Sequence, residues 1–132
     1  MKHILFIFLL LASMTHSEVY AQGGRANSQI ETGDEYFADG DYDNAMKYYK
    51  KALKSSPNNT DYKYKVAMSF YRKQNYSQAI RYGEEILADA SKTPDVNAFR
   101  LLGNSYDLHG NYKKSIETLE KGLEKYPRNG AI

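Results

Sequence analysis

Of the residue types that do covalent chemistry only cysteine is missing from this chain, but those present are spaced wrongly for it. Ser105, Asp107 and His109 have the types of a nucleophile, an orienting carboxylate and a base. Successive members are only two residues apart in a helical stretch, so they turn by about 200° per step around the axis and cannot converge on one reacting atom. Asp39, Asp41 and Asp43 imitate the opening of a calcium loop, but Asn44 stands where its glycine should be and Lys50 where its closing glutamate should be. There is no cysteine, and beyond residue 21 the sole histidine is His109, so no zinc set can be assembled. A glycine-rich phosphate cradle is also missing. The expectation is a protein that is not an enzyme, with no catalytic residue, no metal, no cofactor and no small-molecule substrate.

Charge points the same way. A net charge of +2 on 132 residues is too small for a surface that tracks nucleic-acid phosphates. The distribution is uneven. Every acid of residues 26–59 falls between Glu31 and Asp43, whereas Arg100, Lys113, Lys114, Lys121, Lys125 and Arg128 tilt the last third basic.

The elements that carry these residues are repetitive. Gly40-Asp41-Tyr42 with Ala45 and Pro57 is followed by Gln74-Asn75-Tyr76 with Ala79, then by Gly110-Asn111-Tyr112 with Ser115 and Pro127. From Tyr42 to Tyr76 is 34 residues and from Tyr76 to Tyr112 is 36, the period of a helix-turn-helix solenoid in which each unit buries its apolar side against its neighbours. The pattern predicts an all-α fold with helices over 27–39 and 43–56, 60–73 and 77–89, 96–109 and 113–126. Phe99, Leu102, Gly103 and Tyr106 recur at i, i+3, i+4 and i+7 on one helical face, and Val66, Ala67 and Phe70 make a shorter stripe. Asp41, Asn75 and Asn111 are placed to accept bonds from the free amides that open each second helix. Pro57 and Pro127 stop helices, because proline lacks the amide that a helix interior needs. Tyr36, Tyr42, Tyr76, Tyr106 and Tyr112 read as packing residues. Tyr64, Met68 and Tyr71 share a face apart from the Val66–Phe70 stripe.

The chain divides into residues 1–21 as a signal peptide, 22–25 as a leader, repeats at 26–59, 60–95 and 96–129, and a C-terminal end at 130–132. Lys2 and His3 precede an apolar run from Ile4 to Ala12, long enough for a signal core and far short of the roughly 20 residues that cross a bilayer. Val19-Tyr20-Ala21 sets the expected cut before Gln22, and with it export to the periplasm or outer envelope. Leu119 and Leu123 on the final helix have nothing after them to cover them. The expectation is a truncated end or self-association through the uncapped last repeat.

Residues 26–129 resemble the tetratricopeptide repeat family. Its small first-helix residue matches Gly33, Ala67 and Gly103, the aromatic that follows matches Tyr36, Phe70 and Tyr106, and its second-helix alanines match Ala45, Ala52 and Ala79. Helices packed about 8–10 Å apart need small side chains where backbones touch. Departures are Gly83 in place of the aromatic found at Tyr49, Gly122 in place of alanine, and Gln29 and Thr32 at apolar positions. The first repeat therefore reads as a polar end cap and the second as the loosest. The resemblance implies an α-solenoid of three repeats that acts as a protein-interaction scaffold of the cell envelope. It places a partner-binding groove on the first helices, at Tyr64, Met68, Tyr71, Arg72, Arg100, Asn104 and Asp107. The partner is expected to be a protein or peptide. Relatives that grip chaperone C-terminal carboxylates carry Lys and Asn where Ile30 and Asp34 stand here, so that specificity is not expected. The signal segment, with glutamine after the cut, resembles those of exported proteins of the Bacteroides and Porphyromonas type. Two other roles fit the same architecture: the sensor segment of a longer signalling enzyme such as a histidine kinase, and a self-assembling structural protein.

Overall fold

The computed structural model describes residues 20–21 and 23–128. The body of the expected signal peptide, the cut before Gln22 and the end at 130–132 lie outside them. All regular structure among the described residues is helical: α1 (23–38), α2 (Tyr42–Ser55), α3 (Thr60–Arg72), α4 (Tyr76–Ala88), α5 (Val96–Leu108) and α6 (Tyr112–Lys125). From α2 to α6 each helix packs on the next in chain order, and α1 packs on α2 through Gly33 against the Tyr49 ring; α3 touches α5 and reaches α1 through Lys65 and Asp34, so the first helices of the repeats line one side.

The recurring turn triplet explains the hairpins. At the end of α1 the amide of Gly40 donates to the Phe37 carbonyl (3.1 Å) and that of Asp41 to the Tyr36 carbonyl (2.9 Å). The same pair of bonds recurs from Gln74 and Asn75 to Tyr71 and Phe70, and from Gly110 and Asn111 to Asp107 and Tyr106. This closing motif needs a left-handed residue at its penultimate position. Gly40 (φ 79°) and Gly110 (φ 86°) supply it freely, and Gln74 is forced into it at φ 59°. The last residue of each motif then caps the next helix: side chains of Asp41, Asn75 and Asn111 accept from the amides of Asn44 (3.1 Å), Gln78 (3.3 Å) and Lys114 (3.3 Å). One residue thus closes one helix and opens another. For that reason the second helices begin at Tyr42, Tyr76 and Tyr112, one residue earlier than expected. The first helix is also longer than expected, because residues 23–25, read as a leader, are helical and Ala26 behind them is buried.

Size complementarity holds each hairpin together. A β-carbon on Gly33 would lie 2.5 Å from the Tyr49 ring, and one on Gly103 2.5 Å from Leu119, so glycine on the first helix admits a large side chain from the second. The middle repeat inverts the arrangement. Ala67 lies on its first helix, the second-helix position is Gly83, and Leu102 from the following repeat fills the space, 3.0 Å from where a β-carbon would sit. The second repeat is therefore not the loosest. Val66, Ala67, Phe70, Ala79 and Tyr82 form the main core with Ala45, Tyr49 and Leu101, and Ile80, Leu102 and Tyr106 form a second cluster.

One tyrosine expected to pack is exposed. Phe37 meets Tyr42 edge to face at 5.1 Å, and Tyr71 meets Tyr76 likewise at 5.8 Å. In the third repeat Asp107 occupies the Phe37/Tyr71 position, so Tyr112 has no aromatic partner there and stands 65% exposed.

Candidate partner-binding face

The exposed sides of α1, α3 and α5 form one surface. Lys65 of α3 bridges to Asp34 of α1 at 2.6 Å, and the same carboxylate accepts the Tyr49 hydroxyl at 2.6 Å. Burial, and then that bond to a carboxylate, raise the Tyr49 phenol well above its ordinary pKa. The Asp34–Lys65 pair is thus anchored from beneath by a core side chain.

Two clefts open on this surface and share Tyr64 as a wall. The first, about 240 Å³, lies between α1 and α3 and is lined by Asp34, Phe37, Tyr49, Tyr64, Lys65 and Met68. The second, about 260 Å³, lies between the start of α3, Ile86 of α4 and the 92–98 segment that leads into α5, with Asp61 and Asp95 on its rim. Burial pushes the Tyr64 phenol up, with Arg100 pulling against that shift and Asp95 adding to it. Arg100 is half-buried, and its Nε has no acceptor among the described residues.

The seven expected groove residues separate into groups. Tyr64 and Met68 line clefts, and Arg100 lies close enough to Tyr64 to act on its charge. Asn104 is half-buried one turn along α5 from Arg100. Tyr71 is a hairpin packing residue, since its ring serves Tyr76. Arg72 and Asp107 are exposed in the last turns of α3 and α5 and line neither described cleft. Tyr64, Met68 and Tyr71 were expected to stand apart from the core, but all three pack against it from its edge. A first-helix side chain near a hairpin faces both directions, and periodicity on one helix does not register the partner helix.

Sequence reasoning missed Phe37 and Lys65, and it placed Asp34 at a ligand-gripping position without its partner. Phe37 was hidden because its relation to Tyr71 and Asp107 shows only when the repeats are superposed at 34 and 36 residues. Asp34 and Lys65 were hidden because their bridge crosses from one repeat to the next. The triad types are used structurally: the Ser105 hydroxyl donates to the Leu101 carbonyl at 2.6 Å, and His109 caps α5. Asp41 caps α2 and Asp43 pairs with Lys73, which accounts for two of the three calcium-like aspartates.

Comparison with known proteins agrees with this architecture. The sequence profile of the tetratricopeptide repeat matches residues 30–94 and again 67–130. The human and mouse proteins named DnaJ homolog subfamily C member 3 are each 28% identical over 110 residues, covering 80% of this chain and 21% of theirs. The chain therefore spans about a fifth of the length of those relatives. Among solved structures, the N-terminal domain of stress-induced protein-1 from C. elegans superposes with a TM-score of 0.74 at 16% identity, covering 83% of this chain and 90% of that one. The Sgt2 repeat domain from Aspergillus fumigatus gives 0.73 at 24%, covering 80% and 69%. The first repeat domain of Spaghetti (RPAP3), solved with the HSP90 peptide SRMEEVD, gives 0.72 at 23%, covering 81% and 85%. At these identities the structural likeness speaks to the fold.

Proposed function

The chain belongs to the tetratricopeptide repeat family, and from that premise we propose that it is a non-enzymatic interaction scaffold of the cell envelope that takes an extended protein segment along α1, α3 and α5. The observation that carries the reading is the pair of clefts meeting at Tyr64, where Phe37, Tyr49, Tyr64 and Met68 line the walls and Arg100 lies beside Tyr64, side-chain types of the kind enriched at interfaces. A structural neighbour of the same fold, solved with a bound peptide, supports a peptide as the ligand. The chemistry of the ligand differs from that of a terminal carboxylate. Lys65 is already paired with Asp34, so its ammonium is occupied and the adjacent carboxylate repels an anion.

Selection of random peptides on the immobilised protein tests this. Enriched peptides should lose binding at least about tenfold on Met68→Lys or Arg100→Glu, the cost of one interface anchor. They should keep it on Lys47→Ala, which alters an exposed residue of α2. Peptides indifferent to both groove variants would place binding on another face. Export rests on the apolar run before Val19-Tyr20-Ala21. Mass spectrometry of envelope extracts should find Gln22 at the N-terminus, and a mature pool beginning at Met1 would end that part of the proposal.

A further inference from the structure

The outer side of α6 repeats the outer side of α4. In α4, Ile80 packs with Leu102 and Tyr106 of the next repeat, Leu87 joins that cluster, and Glu84 accepts the Tyr106 hydroxyl. At the same register, 36 residues on, α6 carries Ile116, Glu120 and Leu123. Ile116 is 58% exposed and Leu123 41%, and among the described residues no helix lies on them. The last helix therefore presents a stacking face of the kind that elsewhere in this molecule receives the first helix of a following repeat.

The opposite end of the molecule offers the phenol of that pairing, with a smaller, polar threonine in place of the leucine. Counting back from Tyr106 and Leu102 by both repeat lengths reaches Tyr36 and Thr32 on α1. Tyr36 would present to Glu120 the phenol that Tyr106 presents to Glu84. A second contact between repeats is the ion pair of Asp43 on α2 with Lys73 after α3. At the two ends of the solenoid its counterparts are Lys113 on α6 and Asp39 after α1, the same pair with signs exchanged. The wider charge leans the same way, since residues 26–46 contain six acids and no lysine or arginine, whereas residues 113–128 carry Lys113, Lys114, Lys121, Lys125 and Arg128 against Glu117, Glu120 and Glu124, with Lys113 in a loose 4.0 Å pair with Glu117.

We infer that the outer face of α6 docks on α1 of a second copy of this chain, in the geometry that joins α4 to α5, so that the protein stacks head to tail. The contact is heterologous: it joins unlike surfaces, leaves a free face at each end and extends into an open array. Its surface differs from the groove of α1, α3 and α5, so it stands or falls independently of the peptide reading.

Sedimentation velocity of the purified protein, from micromolar to millimolar and at low and high ionic strength, reads the outcome. The expected result is a series that grows past the dimer with concentration and shrinks with salt, because the steering charges are exposed and screened. Ile116→Glu, Asp39→Lys and Lys113→Asp should each weaken association at least about tenfold while leaving the circular dichroism unchanged, since the altered residues are exposed. Mixing the Asp39→Lys and Lys113→Asp proteins restores an opposite-charge pair at every junction and should restore assembly. A monomer under all conditions overturns the inference. So does a species that stops at the dimer and ignores Asp39→Lys, which would mean that two α6 faces pair with each other.

Discussion

Adding one methyl group at each of three glycines should have three different effects, because the side chains facing them differ in their freedom to move. At Gly33 the new β-carbon falls 2.5 and 2.6 Å from two ring atoms of Tyr49, where carbon contacts need about 3.5–4.0 Å. The ring must retreat by about 1 Å. It is 2% exposed, and its hydroxyl is held by Asp34, so it has nowhere to go. Overpacking of about 2–3 kcal/mol plus a weakened charge-assisted hydrogen bond of about 1.5 kcal/mol is offset by about 1 kcal/mol of helix propensity, for a net loss of about 2–4 kcal/mol. At Gly103 the new β-carbon falls 2.5 Å from Cδ2 and 2.6 Å from Cγ of Leu119, a partly exposed side chain with no hydrogen bond to hold it, and the loss should be about 1–2 kcal/mol. At Gly83 the closest atom is 3.0 Å away, a few tenths of an ångström suffice, and propensity cancels the strain. Urea denaturation followed by far-ultraviolet circular dichroism, with equal m-values as the check on a common mechanism, should rank Gly33→Ala below Gly103→Ala and that below Gly83→Ala. Wild-type stability for Gly33→Ala, or Gly83→Ala as the worst of the three, would refute the packing argument.

Two further outcomes follow from the turns and the buried phenols. Gln74→Gly removes a left-handed side chain at φ 59° and should stabilise by about 0.5–1 kcal/mol after the entropy of glycine in the unfolded chain is counted; a thermal midpoint that falls instead would show that the Gln74 side chain contributes something the turn geometry does not. Tyr49 and Tyr106 are raised by burial first and by their bonds to Asp34 and Glu84 second, so the unfolded phenols ionise first, near pH 10. Their stabilisation is complete below that pH and is lost as pH rises beyond it. The urea midpoint should drop above about pH 10 more steeply in the wild type than in a Tyr49→Phe, Tyr106→Phe variant, and parallel curves would remove the phenols from the account.

The solenoid was legible because its hairpins are written locally. Gly40-Asp41-Tyr42 and its two successors contain the left-handed residue, the cap and the first helical residue in one triplet, so architecture and repeat number needed no tertiary information. What escaped lay between elements. Gly83 read as a defect because the residue that fills its space, Leu102, belongs to the next repeat. Tyr112 read as core because its missing partner, Asp107, lies across the turn. Tyr71 read as groove because the face of one helix does not reveal Tyr76 on another. Of the candidate site, the face of Tyr64 and Met68 was recoverable from helical spacing and Arg100 from the family resemblance, whereas the pairing of Asp34 with Lys65 required knowing which repeats touch.

The residue that serves both as the end of one helix and as the cap of the next has a mechanical consequence. Each hairpin turn has no unbonded residue that could act as a joint, so the three hairpins behave as stiff links. Compliance is confined to the connections between them, and these are unequal in length: Ser56–Asn59 is short, whereas Asp89–Asp95 is longer, held at its start by two 3.4 Å backbone bonds and by Ser91 on the Asp89 carboxylate, and at its end by the Tyr126 hydroxyl on the Pro94 carbonyl and by the Asp95 side chain, which caps α5. Under tension or on engaging a partner, bending should fall on that longer connection, whose end also walls the cleft beside the start of α3. The cleft between the start of α3 and the 92–98 segment should therefore change width as the molecule bends, while the one between α1 and α3, pinned by Asp34 and Lys65, should keep its calibre, an adjustable jaw beside a fixed one.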